Sequence, residues 1–378
     1  MSSNGIIVVG GGLVGAAIAY GAAKSGSAVT LLDQGDVAYR ASRGNFGLVW
    51  LQSKGAGFPR YARWSRDAVD HWGPLASELR ELTGVDVDLQ QNGGFWIGFS
   101  EKEVAEREAM LAKINAADGR TPFEMLDHRE LKARLPAIGP KVAGGSWCSL
   151  DGHANPLKLL HALHAGIQAL GGRICNGADV AEVCPLGEGQ GFRARSSDGR
   201  QWIGEKIVLA AGLSNSVLAP QLGLHAPVVP NRGQVLITER LKKFLPHPTN
   251  KARQTAEGTV QLGFSVEDVG LDDGTTVAAI EWIAKRAVAT FPILSSVKLV
   301  RAWGALRVMT PDGSPIYQES ARYPGAFTAT SHSGVSLAGS HAYEIGPWIT
   351  GVKSAPEGIE EFAGERFLDP DRKFSNAH

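Results

Sequence analysis

Cysteine is scarce in this chain: three occur in 378 residues, Cys148, Cys175 and Cys184, with no C-x-x-C pair and no metal-binding spacing. That excludes a disulfide framework and leaves ordinary thiols suited to a reducing compartment. Net charge is also lacking. The 38 basic side chains are matched by 38 acidic ones, so nothing in the electrostatics favours nucleic acid or an anionic membrane. Internal repeats and low-complexity tracts are missing. So is a second glycine fingerprint after a strand, which an enzyme binding two nucleotides would need. At 378 residues the chain is long for one core, and two domains are expected.

What the chain does have is one long uncharged stretch, GIIVVGGGLVGAAIAYGAA at 5–23. Its length approaches a membrane span, but it carries too many glycines, and no Lys or Arg precedes it as in a signal peptide. A nucleotide-binding β-α-β unit accounts for each glycine. Ile6, Ile7, Val8 and Val9 read as a parallel strand covered on both faces. Gly10, Gly12 and Gly15 fit G-x-G-x-x-G, serving a tight turn, close approach to a pyrophosphate, and helix-on-strand packing. The phosphates would meet the N-terminus of a helix from about Leu13 to Lys24. AVTLL (28–32) reads as the next strand, with Asp33 at its end, where a carboxylate accepts hydrogen bonds from a ribose. The plain alternative is a solvated turn aspartate. A soluble cytoplasmic protein is expected.

Further along, RASRGNFGLVW (40–50) is a loop whose Gly44, Asn45 and Gly47 suit backbone close to a ligand. Helical spacing returns over 61–82, and GGFWIGFS (93–100) reads as a strand. Ser100 followed by Glu103 is a capping box opening a charged helix over 100–117, outside the nucleotide-binding core. The clearest helix lies within 151–172, with Asn155 as N-cap, Pro156 at N1 and Gly171 ending it. Strands are expected at 173–175, 179–184 and 206–210, with a hairpin at Asp198-Gly199. The small Ala211 and Gly212 follow the last of these, where open α/β sheets bind ligands. Strands over 228–264, a helix over 274–290, a strand over 297–303, and a strand-turn-helix unit at 326–351 complete the reading.

Taken in order, GGGLVG with Asp33, ASRGNFG, DGHANP, IVLAAGLSNSVL, PNRGQV, WGALRVMTPDGSPI and SHSGVSLA resemble the D-amino-acid oxidase superfamily of FAD enzymes, in its glycine oxidase and sarcosine oxidase branch. The wording of SRGNFGLVW is most similar to the flavin-bearing β subunits of opine oxidases and D-hydroxyproline dehydrogenases, and to hydrogen cyanide synthase. The resemblance implies an α/β fold: a glutathione-reductase-like FAD-binding domain (1–75, 141–222 and 305–378) interrupted by a mainly antiparallel α+β substrate domain (76–140 and 223–304).

It also implies roles. Gly10, Gly12, Leu13, Val14 and Gly15 would hold the pyrophosphate, and Asp33 with Gln34 the adenosine ribose. Ser42 and Arg43 would contact phosphate or ribityl, while Asn45, Phe46, Gly47 and Leu48 pass near the reactive edge of the flavin. Val180 would meet the adenine through its backbone, and Ala211 and Gly212 would line the cofactor. Gly334, Val335, Ser336 and Leu337 would run under the pyrimidine side. Arg307, in WGALRVMTPDG, would grip the substrate carboxylate, because a guanidinium presents a planar fork to it. The plain alternative is a surface arginine paired with Asp312. His332 is a candidate catalytic or substrate-contacting residue of the pocket, with a structural histidine as the plain alternative. Trp50, Trp96 and Trp303 would wall the pocket or serve as core.

Two departures from the family pattern matter. Ala305 stands where sarcosine oxidases carry a flavin-linked cysteine, so FAD is expected to be noncovalent. Val266 replaces the lysine that some relatives place near the flavin. The implied reaction is oxidation of the C–N bond of an amino acid by hydride transfer to flavin N5, giving an imine that hydrolyses, with no general base assigned. A secondary or D-amino acid fits best: an opine, D-hydroxyproline, iminodiacetate or sarcosine. The alternatives are oxidation of glycine or a primary D-amino acid, or service as the flavin subunit of a complex. Electrons would pass to oxygen or another acceptor, including partner subunits with an iron-sulfur cluster or a second flavin.

Overall fold

The computed structural model describes residues 5–35 and 41–369; Arg40, at the head of the 40–50 loop, lies outside them. β1 (Gly5–Val9), α1 (Leu13–Lys24) and β2 (Ala28–Asp33) form the expected unit, with β1 and β2 parallel. After the two-residue β3 (Leu48–Val49) come α2 (Pro59–Asp70) and α3 (Trp72–Thr83). The single helix expected over 61–82 is thus two, broken at His71, just before Gly73 and Pro74. Next are β4 (Gly94–Gly98), α4 (Glu101–Asp118), β5 (Phe123–Asp127), α5 (His128–Arg134), β6 (Gly144–Cys148) and β7 (Gly152–His153). α6 (Pro156–Ala169) starts at its Asn155 cap, whose Oδ1 accepts the N–H groups of Leu157 and Lys158.

β8 (Arg173–Asn176), β9 (Val180–Pro185), β10 (Phe192–Ser196), β11 (Gln201–Gly204) and β12 (Lys206–Leu209) follow, then the short α7 (Asn215–Leu218). β13 (Val229–Arg240), β14 (Ala252–Gln254), β15 (Thr259–Gly263), α8 (Val277–Thr290), β16 (Leu299–Met309), β17 (Ile316–Glu319) and β18 (Ala326–Thr330) complete the strands. β16 runs well past the expected end at Trp303 because it stays paired with β13 from Val229↔Met309 to Thr238↔Leu299.

Two layers of organisation emerge. A six-stranded sheet, in the order β17-β18-β12-β1-β2-β8, is parallel except for β17, and its strands alternate between two cores. Ile6, Val8, Leu31 and Val208 face the core built with α1, α3 and α6, while Ile7, Val9, Ile207 and Leu209 face the other side. The mostly β-branched strands suit this coverage on both faces. A separate core joins the antiparallel sheets β4-β6-β5 and β14-β15-β13-β16 to α8, through Phe95, Leu126, Leu236, Leu262, Ile283 and Phe291.

Two of the expected boundaries cut through these sheets. β6 pairs with β4 and β5 in the second unit although it follows position 141, and β16 crosses 304/305 without a break. Strand pairing, invisible to composition, is the reason. Among the described residues no helix is long and apolar enough to cross a membrane. The opening run is instead a buried strand and a 12-residue helix.

Candidate active site

The glycine loop between β1 and α1 has no room for side chains. A Cβ on Gly10, where φ is +106°, would lie 2.3 Å from the Ala210 carbonyl, and one on Gly15 would lie 2.0 Å from the Gly10 carbonyl. Gly12 is kept bare by Ser42, whose Oγ would be 2.7 Å from its Cβ. That hydroxyl accepts the N–H of Leu13 at 2.9 Å, satisfying one of the open donors at the start of α1. Asp33 stands at the end of β2 and accepts the N–H of Gly11 at 2.8 Å and that of Gly35 at 2.8 Å, one on each oxygen. Each carboxylate oxygen keeps a second lone pair for a ribose hydroxyl. From α6, His164 Nε2 donates to the Gly11 carbonyl at 2.8 Å, and burial holds this imidazole below its usual pKa.

Beside this loop opens a cavity of about 650 Å³, in the size range of small-molecule sites. The 44–48 segment forms one wall. There Asn45 Oδ1 accepts the Gly47 N–H at 2.7 Å, and Gly47 adopts φ +88°. The turn after β18 forms another: Ser336 Oγ accepts the Trp50 N–H at 3.1 Å and donates to the Leu48 carbonyl at 3.1 Å. Arg307 projects from β16 into the cavity. Its Nη2 donates to Asn231 Oδ1 at 2.7 Å, the Ser265 carbonyl at 2.7 Å and the Arg232 carbonyl at 3.1 Å. Its Nε is buried without a partner among the described residues. Burial brings this guanidinium down to about pKa 10, partly offset by Glu267 and Asp268. Asp312, its alternative partner, is instead bonded to Arg366 at 2.9 Å.

Two lysines share the cavity. Lys251 Nζ lies 3.7 Å from the centre of the Phe264 ring, and burial followed by the nearby Arg307 and Arg286 lowers it to about 7. Lys54 donates to Ser333 Oγ at 2.7 Å and lies 3.3 Å from His332 Nε2, with burial lowering it to about 8. The site is thus a largely apolar cavity, walled by Trp50, Trp96 and Phe264, into which several basic side chains are set.

Residues 5–346 match the DAO family, described as FAD dependent oxidoreductase. The chain belongs to this family. It is 41% identical over 364 residues to an opine oxidase subunit of Rhizobium meliloti, with 95% of this chain and 96% of the relative covered. Glycine oxidase from Geobacillus kaustophilus shares the fold at TM-score 0.86 and 21% identity, over 95% of this chain and 97% of that one. Iminodiacetate oxidase from Chelativorans sp. BNC1 does so at TM-score 0.81 and 19% identity, over 95% and 98%. The DAO-family chain is therefore an FAD-dependent oxidoreductase acting on the C–N bonds of amines or amino acids.

The observed cradle fits that cofactor. Side-chain-free Gly10, Gly12 and Gly15 would admit the pyrophosphate, Asp33 would take the ribose, and the cavity would receive the ring between the 44–48 segment and the turn at 334–337. Gly334 packs close to Leu13 and Val14, so this turn sits directly on the start of α1. Gln34 and Arg43 are exposed at the mouth of the nucleotide-binding turn. Val180 opens β9, but its N–H already donates to the Ala178 carbonyl at 3.1 Å. Gly212 takes φ +60° after Ala211, whose N–H is held by Asn215 Oδ1 at 2.9 Å. Leu337 is fully buried.

The expected pocket residues divide. Arg307, His332, Trp50, Trp96, Phe46 and Leu48 line the cavity, as does Val266. Trp303 is not among its lining residues; its indole N–H donates to the Gly44 carbonyl at 3.2 Å and steadies the loop from behind. Ala305 lies against Gly44, where a larger side chain would collide. Lys54, Lys251 and His164 are additions that the sequence does not signal. None stands in a motif, and only the fold brings them to the site.

Proposed function

We infer that this chain oxidises the C–N bond of a secondary, N-substituted amino acid, with an opine as the substrate class best supported. The observation that carries the reading is Arg307: a half-buried cation on the cavity wall, its Nη2 held by three oxygens and its buried Nε unpartnered among the described residues. A guanidinium drawn partly out of water without a counterion is costly, and an incoming carboxylate supplies one. The opine assignment draws on the name of the relative that is 41% identical.

FAD, when bound, supplies the two-electron acceptor. The chain's own part is to bind and orient. Arg307 would hold the carboxylate so that the carbon between carboxylate and nitrogen points at the cofactor, fixing reactants that would otherwise have to meet by chance. Phe264 lies against Arg307, its ring 5.0 Å from the guanidinium carbon, and limits how the carboxylate can enter. Lys251, brought toward neutrality by burial and neighbouring cations, would tolerate the uncharged amine that the reaction needs. The opine oxidase relatives are each named as one subunit of their enzyme, which supports a further proposal, that this chain works with a partner protein that carries the electrons onward.

Arg307→Ala tests the reading. The variant should purify as yellow as the parent, while kcat/KM for secondary amino acids falls by roughly 30-fold or more, the equivalent of about 2 kcal/mol or more for a buried charge pair. An unchanged half-saturation would remove the substrate assignment.

A further inference from the structure

The cavity gathers more basic side chains than one carboxylate can match. Among the described residues Lys54, Arg107, Lys251, Arg286 and Arg307 line it, against the acids Glu103 and Asp312. Both acids are already engaged, Glu103 with Arg286 at 3.5 Å and Asp312 with Arg366 at 2.9 Å. Among the described residues this leaves Lys54, Arg107, Lys251 and Arg307 without an ion-paired carboxylate. We propose that Arg107 is a second anion-binding residue, holding a carboxylate on the far arm of the N-substituted amino acid whose near carboxylate Arg307 holds. This rests on the substrate reading above and deepens it, by assigning the residue that would recognise the second carboxylate of an opine.

Arg107 comes from α4, which packs on α2 and β6, whereas Arg307 comes from β16. Along α4, Glu103, Arg107 and Met110 recur at helical spacing and all line the cavity. Arg107 is 4% exposed, yet among the described residues its hydrogen bonds go to neutral groups: Ser146 Oγ at 3.1 Å, Gln52 Oε1 at 3.2 Å and Met110 Sδ at 3.4 Å. A guanidinium has five N–H donors, so two remain, and a thioether is a weak acceptor for a third. The Trp96 ring, 5.2 Å from its guanidinium carbon, fixes the plane of the fork.

The carboxyl group that acts on Arg107 from inside the fold is Asp151, which burial raises to about 7, and it is held at one remove. Gln52 donates to Asp151 Oδ2 at 2.8 Å while its own oxygen accepts from Arg107. Asp151 also accepts the Leu51 N–H at 2.6 Å. This chain of contacts orients the guanidinium without neutralising it by direct contact. A merely structural Arg107 would serve Asp151 alone, and its loss would then affect every substrate alike.

The test uses the FAD-loaded protein and two probes that differ in one carboxylate, N-(1-carboxyethyl)alanine and N-ethylalanine. In Arg107→Gln the preference in kcat/KM for the dicarboxylate over the monocarboxylate should fall by roughly 30-fold or more, carried mainly by KM. Arg107→Lys, which keeps the charge but loses the fork, should recover part of it and serves if the first variant folds poorly. A preference that stays within about two-fold of the parent in both variants overturns the proposal. If the parent oxidises neither probe, the substrate reading fails, and calorimetric titration with glutarate and butyrate decides Arg107 separately. Loss of glutarate binding alone in the variants supports the subsite; equal change for both acids overturns it.

Discussion

At the scale of single residues, the glycine turn makes the most rigid demand. Gly15 touches the Gly10 carbonyl so closely that even a methyl group has nowhere to go. Gly15→Ala should therefore push α1 off β1, destabilise the fold by more than the 1–3 kcal/mol usual for overpacking, and lower the flavin-to-protein absorbance ratio of whatever folds. A variant with parental flavin content would contradict this role. The Asn155 cap and the contact of Gly15 with Gly10 can be read from sequence because each partner lies within a few residues, and Asp33, though it bonds Gly11 from the next strand, is marked by its place at the end of a complete β-α-β unit. Arg107, Lys54, Lys251 and His164 cannot. In sequence Arg107 is one charge on a charged helix, and only the pairing of β4 with β6 and the placement of α4 turn it toward the cavity.

Among the elements, α4 shows both success and limit. Ser100 caps it as expected, its Oγ accepting the Glu103 N–H at 3.1 Å. The reciprocal half of the box is displaced, since the Glu103 carboxylate takes the Phe99 N–H at 2.8 Å and also reaches Arg286 on α8. Ser100→Ala should cost about 1 kcal/mol in urea-unfolding experiments and loosen the wall that carries Arg107. An effect on stability near zero would show that packing alone holds the helix end. The strands divide in the same way. β1, β2 and β12 announce themselves as β-branched runs, but the continuation of β16 to Met309 depends on its pairing with β13, where Met309 lies opposite Val229.

For the whole molecule, buried imidazoles set the response to acid. His341 is fully buried, accepts or donates a hydrogen bond with the Tyr317 hydroxyl at 2.7 Å, and is driven by burial from 6.5 down to about 3. Above the unfolded value near 6.5 both states are neutral and no penalty applies. As pH falls below it, only the unfolded chain takes up the proton, and stability is lost progressively until the folded value is reached. Relative to His341→Asn, the parent should lose roughly 2–3 kcal/mol between pH 6.5 and 4.5, read from unfolding curves at each pH. Parallel pH profiles for the two proteins would refute this assignment.

The central claim joins the glycine cradle to the cavity: FAD at one end, and an N-substituted amino acid held by Arg307 at the other. Its most direct test is anaerobic mixing of the yellow protein with N-(1-carboxyethyl)alanine, followed in the visible flavin band and by product analysis. The account predicts bleaching, with one pyruvate and one alanine released per flavin reduced. A flavin that keeps its colour with this and every other secondary amino acid, while primary amino acids bleach it and release ammonia, would contradict it.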